Sequence, residues 1–183
     1  MLVFRAYPDR TAQRRRSVAT NIFRKSRPAF GRLALYLFIF VGAALALNAW
    51  IFTGPAIQWS RTLENPDWSP SGAVIGSVWV GLFALMALAA FIVDRYGDDR
   101  HKDFARLAII TQYVVCMGWT LGYFGLQSVA NGFYVTVVSL LLCIPVALAA
   151  FRAAWLAGVL MLPLVAWQAF ALLLSWSTWR LNL

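Results

Sequence analysis

Residues Asn65–Ala89 read NPDWSPSGAVIGSVWVGLFALMALA, and this stretch decides both the class of the fold and the direction of the functional argument. A turn bracketed by Pro66 and Pro70 and carrying Trp68 runs directly into an apolar helix. Within that helix Trp79, Phe83 and Met86 stand at i, i+4 and i+7, which puts the three side chains on one face. A Trp held in a turn at a membrane surface, followed by a deeper Trp on a shared helical face, suggests a lined pocket for something flat and aromatic.

The rest of the chain has the same apolar character. Hydrophobic residues make up 61% of it and charged residues 13%, far from an ordinary soluble domain. The mean hydropathy is +0.68. Five apolar stretches recur, Gly31–Phe52, Gly72–Val93, Phe104–Gly125, Val129–Ala150 and Trp155–Trp176. Each is close to the roughly 20 residues that a helix needs to cross a hydrocarbon layer about 30 Å thick. The expected fold is all-α, a polytopic membrane protein built as a five-helix transmembrane bundle over residues 31–183. Residues 1–30 form a basic tail, expected to be cytoplasmic and flexible.

Residues 1–32 hold nine of the sixteen Lys and Arg, against the single acid Asp9. A juxtamembrane segment drawn to anionic headgroups is the favoured reading. An Arg-rich, acid-poor transit peptide competes with it. Nucleic-acid binding is disfavoured, because no folded reading element accompanies the charge. With the N-terminus inside, the inner segments carry fourteen basic residues and the outer ones only Arg61 and Arg180. The positive-inside rule then predicts a cytoplasmic N-terminus and an outer C-terminus in a bacterial inner membrane.

Punctuation marks the helix ends. Gly54-Pro55 stops the first helix, and Ser69 or Ser71 can cap the second. The segment Asp94–Asp103 reads as a solvated inner turn and Leu126–Ser128 as a tight outer one. Pro145 is expected to kink the fourth helix. No internal repeat supports an inverted-repeat transporter.

No Asp, Glu, Lys, Arg or His stands near the middle of any span, which argues against a pump, an ion-coupled transporter or a voltage sensor. The polar residues at depth are neutral: Asn48, Gln112, Thr120, Thr136, Ser139, Gln168 and Ser175. Such groups can orient a ligand or bond between helices, at about 1 kcal/mol each. Cys116 and Cys143 lack His or carboxylate companions in their helices, so no metal site and no acid–base catalytic set is read. Six of the nine tryptophans, namely Trp50, Trp59, Trp68, Trp155, Trp176 and Trp179, lie near span ends as an interfacial belt would place them. Trp79, Trp119 and Trp167 lie deeper, and their indoles serve equally well for helix packing or for stacking on a planar ligand.

Three motifs in order resemble one known family. They are Trp59–Met86 with NPDWSP and LFALMALA, then QYVVCMGWTLGYFG at Gln112–Gly125, then AGVLMLPLVAWQAFALLLSWSTWRLN at Ala157–Asn182. Together they resemble the translocator protein family, also called tryptophan-rich sensory protein or peripheral-type benzodiazepine receptor (TspO/MBR), over residues 31–182. The resemblance implies a membrane receptor or sensor that binds porphyrins and haem in a Trp-lined cavity. Tetrapyrrole regulation, transport or stress response would be its role, and no cofactor would be required. The alternatives it carries are light- and oxygen-dependent porphyrin breakdown, with Trp79 and Trp167 as the redox-active wall, or facilitated passage of porphyrin, sterol or lipid.

The same resemblance implies lid positions at Trp59, Trp68 and Pro70. It implies ligand contacts at Trp79, Phe83, Cys116, Trp119, Pro163, Trp167 and Ala171. Family members are often homodimers, and Gly118 with Gly122 offers helix three a close-approach face. The chain departs from the family pattern at Asp67, Ser71, Cys116, Leu121 and Leu164. A Tyr of the sterol-recognition pattern is also missing before Arg180, where Trp176 and Trp179 stand, so the resemblance favours porphyrin over sterol.

Overall fold

A computed structural model describes residues 30–183. The basic tail and its expected cytoplasmic, lipid-facing role lie outside the described residues. The chain divides into two units, Met1–Arg32 and Leu33–Leu183, and the architecture below is that of the second.

The fold is all-helical, as the hydropathy pattern predicts. Five helices of 24 to 27 residues are long and apolar enough to cross a membrane. They are α1 (Phe30–Thr53), α3 (Gly72–Tyr96), α4 (Lys102–Thr120, continued by a π-helical turn over Leu121–Gly125), α5 (Val129–Ala153) and α6 (Trp155–Leu181). Between α1 and α3 stands one short helix, α2 (Pro55–Ser60).

Local chemistry explains the joints. Gly54 is extended, with φ −102° and ψ −178°, and Pro55 then opens α2 at the position where its missing N–H costs nothing. The sequence reading makes Thr53–Ser71 a loop; the proline that ends one helix in fact starts another. Ser71 rather than Ser69 caps α3, its hydroxyl accepting from the Val74 N–H at 3.4 Å. Gln127 turns the chain at φ +48°, and the Ser128 hydroxyl accepts from the Asn131 N–H at 3.3 Å to start α5. A single extended residue, Ala154, joins α5 to α6. Pro145 lies within the continuous helical run of α5.

On the face opposite the α2 lid, the α3–α4 turn is fastened by charge. Arg106 bonds Asp94 at 2.9 Å and Asp103 at 3.1 Å, while His101 Nδ1 meets Asp98 at 2.7 Å. The Asp98 N–H also donates to the Ala153 carbonyl at 2.9 Å, tying this turn to the α5–α6 joint.

The core is made of small residues. Ala87, Ala89 and Ala90 of α3, Ala105 of α4, Ala150 of α5 and Ala157 of α6 are buried, with Met86, Ile109 and Met161 filling the gaps between them. Small side chains let helix backbones approach, which is how packing is gained where lipid offers no hydrophobic drive. Helices α3 to α6 pack closely on one another, α5 against α6 most extensively. The backbone of α1 stands farther off. Its links run through side chains: Tyr113 of α4 donates to the Ile39 and Phe40 carbonyls at 3.1 and 3.2 Å, and its ring lies 4.2 Å from that of Phe40. The space that α1 leaves is the functional feature of the molecule.

Candidate functional site

A cavity of about 620 Å³ lies between α1 and the other helices, beneath the α2 segment and the loop that follows it. Its size falls within the range usual for small-molecule sites, roughly 300–1,000 Å³.

One wall is the face read in the opening sequence stretch. The rings of Trp79 and Phe83 stack with centroids 5.4 Å apart and planes 30° from parallel, and both line the cavity. Met86, one turn further, is fully buried beneath them in the core. Trp167 of α6 meets Trp79 edge-on at 6.5 Å and 89°, so the two indoles share one chamber. Phe170 extends this wall towards the lid, 5.1 Å from Trp167 and 5.9 Å from Trp68. From α1 come Ala44, Asn48, Ile51 and Phe52, at helical spacing.

The floor is polar and uncharged. Ser139 of α5 accepts from the Gln168 amide at 2.6 Å and from the Gln112 amide at 2.9 Å, and the same Gln112 group also donates to the Ser139 carbonyl at 3.2 Å. The Cys116 thiol lies 3.3 Å from the Gln168 amide and 3.4 Å from that of Gln112. Three helices are thus joined by one buried cluster. Of the seven neutral polar residues read at depth, all but Gln112 line the cavity, and Gln112 braces Ser139 from behind.

The three deep tryptophans, equivalent in the sequence, differ in what the indole N–H does. Trp119 donates to the Gly132 carbonyl at 2.9 Å and stacks on Tyr123 at 4.8 Å and 9°, so it is anchored as a strut while one side lines the cavity. The Trp167 N–H is buried with no partner among the described residues. An unsatisfied buried donor costs about 1–3 kcal/mol, and native structures carry few of them outside functional places.

The residues implied by the family resemblance separate into two groups. Pro70, Trp79, Phe83, Cys116, Trp119, Trp167 and Ala171 all line the cavity. Trp59, Trp68 and Pro163 do not. Trp59, on α2, packs edge-on against Tyr123 at 5.1 Å and borders a shallow surface depression with Trp179. Trp68 is half exposed on the lid, against Phe170. Pro163 lies one turn before Trp167 on an exposed face of α6. Arg61, Tyr123 and Phe170 are among the lining residues that the sequence reading does not place in the site. Phe170 was readable as the neighbour of Trp167 at i+3. Tyr123 depends on the π-helical turn, which has no sequence signature of its own.

The lid is latched. The Asn182 side chain accepts from the Glu64 N–H at 3.0 Å and donates to the Glu64 carbonyl at 2.8 Å and the Thr178 carbonyl at 2.7 Å. The last turn of α6 thereby holds the loop over the cavity.

Comparison with known proteins agrees with this architecture. The TspO/MBR family profile matches residues 23–180. The chain is 30% identical to protein CrtK of Rhodobacter capsulatus over 151 residues, covering 82% of this chain and 94% of that one. It is 31% identical to the translocator protein of Homo sapiens over 163 residues, 85% and 90% of the two chains. It is 35% identical to the tryptophan-rich protein TspO of Bacillus cereus over 128 residues, 68% and 80%. An integral, multi-pass membrane protein whose aromatic cavity sits beneath a latched lid, this chain belongs to the TspO/MBR family.

Proposed function

We propose that the cavity binds porphyrins and haem, and that the protein acts as a membrane receptor or sensor in tetrapyrrole regulation, transport or stress response. One observation carries this reading: the Trp79–Phe83 stack and the Trp167 indole enclose one chamber from two directions. Offset and edge-on aromatic surfaces of this kind favour a flat π system over a flexible aliphatic one. A relative of Cereibacter sphaeroides, 32% identical over 128 residues, carries the name tryptophan-rich sensory protein, which supports the sensory role. Gly118 is open on α4, where an added Cβ would meet nothing within 4 Å, which supports homodimerisation through that helix; Gly122, one turn on, lies near Val135 of α5, 3.9 Å from where its Cβ would stand.

A second reading rests on the 6.5 Å approach of the two indoles. Indole-based oxidation of bound porphyrin, driven by light with dioxygen as the oxidant, needs no acid–base set and uses this same wall.

One titration tests both readings. Protoporphyrin is added to the purified protein in the dark while Trp fluorescence is followed, and the mixture is then illuminated. Saturable quenching is expected, with affinity weakened about five-fold in Trp79→Phe and in Trp167→Phe, the effect of losing about 1 kcal/mol of aromatic contact. Unaltered affinity in both variants refutes this site. A new product spectrum that requires light and either indole selects the oxidative reading.

A further inference from the structure

Arg61 is the one charged residue that lines the cavity among the described residues. It closes α2, its backbone N–H donating to the Ile57 and Gln58 carbonyls at 3.2 Å each, so the root of the side chain is held by a helix end rather than by a loose loop. Arg61 is exposed, at the lid end of the cavity. Glu64 and Asp67 follow on the same loop, yet no ion pair joins either of them to Arg61 among the described residues. Among the described residues no acid lines the cavity to oppose the guanidinium. The lining residues next to it, Asn65, Ser69 and Ser71, are neutral, and the first turn of α3 adds the same positive sign.

The chamber is therefore polarised along its length. At the deep end are indole, thiol, amide and hydroxyl groups without charge; at the lid end is one guanidinium that makes no ion pair among the described residues. A wholly apolar ligand leaves that cation unused, and a cationic ligand is repelled by it. A guanidinium presents paired N–H donors whose geometry matches a carboxylate, and such charge-assisted contacts are stronger than neutral ones.

We infer that the site selects amphipathic carboxylates, with the acid end of the ligand held by Arg61 at the mouth and its planar apolar body against Trp79 and Trp167. The inference rests on reading the cavity as a site for porphyrin-class ligands, and it adds orientation and a charge requirement to that reading. Arg61 is then a specificity-determining residue, separate from the aromatic wall that provides most of the contact area.

The test compares protoporphyrin as the free diacid with its dimethyl ester, which has the same ring and no charge. Wild type, Arg61→Gln and Arg61→Lys are reconstituted in neutral-lipid nanodiscs, with helicity checked by circular dichroism. Arg61→Gln is expected to weaken diacid binding about ten-fold and to leave ester binding unchanged, with Arg61→Lys falling between. The diacid advantage in wild type should shrink as salt is raised. Equal loss for diacid and ester, or no loss for either, overturns the inference while leaving the porphyrin site standing. If neither form binds wild type saturably, the porphyrin reading itself fails and this one with it. If Arg61→Gln changes only the retention of anionic lipid added to the discs, the arginine serves the bilayer and the inference is overturned.

Discussion

Gly132 shows how tightly one residue can be prescribed in this molecule. A Cβ built there would lie 2.3 Å from Cδ2 of Tyr123, and its own carbonyl accepts both the Trp119 N–H and the Thr136 hydroxyl. Gly132→Ala must push Tyr123 aside and disturb the Trp119–Tyr123 stack that lines the cavity. Destabilisation of about 1–3 kcal/mol is expected, read as a lower thermal midpoint in detergent, with ligand affinity falling as well. The residue-scale reading of the sequence was strong where chemistry is local and weak where it is not. Trp79 and Phe83 were readable because helical spacing puts them together. The distinction between Trp119 as strut and Trp167 as a wall with an unpaired N–H was not, since it depends on a carbonyl thirteen residues away on the next helix. Arg61 has the sequence context of an ordinary loop cation, because its place at the mouth is set by α2, a helix too short to leave an apolar period of its own.

At the scale of elements, the lid is a helix, a loop and a latch. Proline carries two opposite signals at such a junction: it stops the helix before it and favours the first turn of the helix after it. Pro55 carries both, ending α1 and opening α2. The π-helical turn over Leu121–Gly125 carries no such signal, although it sets Tyr123 and Phe124 against Trp59. The latch yields a direct prediction. Asn182→Ala removes both hydrogen bonds that grip Glu64 and the one to Thr178, contacts of about 0.5–1.5 kcal/mol each at most. The lid should open more often, so trypsin should cut after Arg61 several-fold faster and protoporphyrin should dissociate faster, with little change in thermal midpoint. Cleavage as slow as in wild type would show that Pro66, Pro70 and the Trp68–Phe170 contact hold the lid without it.

At the scale of the whole molecule, the five-helix plan was readable because a bilayer permits so few solutions. Backbone polar groups must be satisfied within each span, so length and hydropathy alone mark the helices. How the helices enclose a cavity was not readable in the same way, because Asn48, Trp79, Cys116, Ser139 and Trp167 come from five separate elements. The excess of basic residues on one side predicts a sidedness that can be measured. A cysteine placed in the basic tail should resist an impermeant thiol reagent in intact cells and react once the cells are lysed. Labelling in intact cells would reverse the orientation.

The stand-off of α1 has a mechanical meaning. Local opening of a protein begins where the fewest contacts must be broken, and the stability of a structure is uneven for that reason. Helices α3 to α6 are fastened by close alanine packing, by the Ser139 cluster and by the ion pairs of the α3–α4 turn. Helix α1 leans on them through a few side chains, Tyr113 among them, and it closes one side of the chamber. It is the staves of this barrel that are hooped together and the door that hangs on one hinge, so amide exchange should run fastest along the chamber-facing half of α1, and a bilayer-dissolved guest meets its least resistance there.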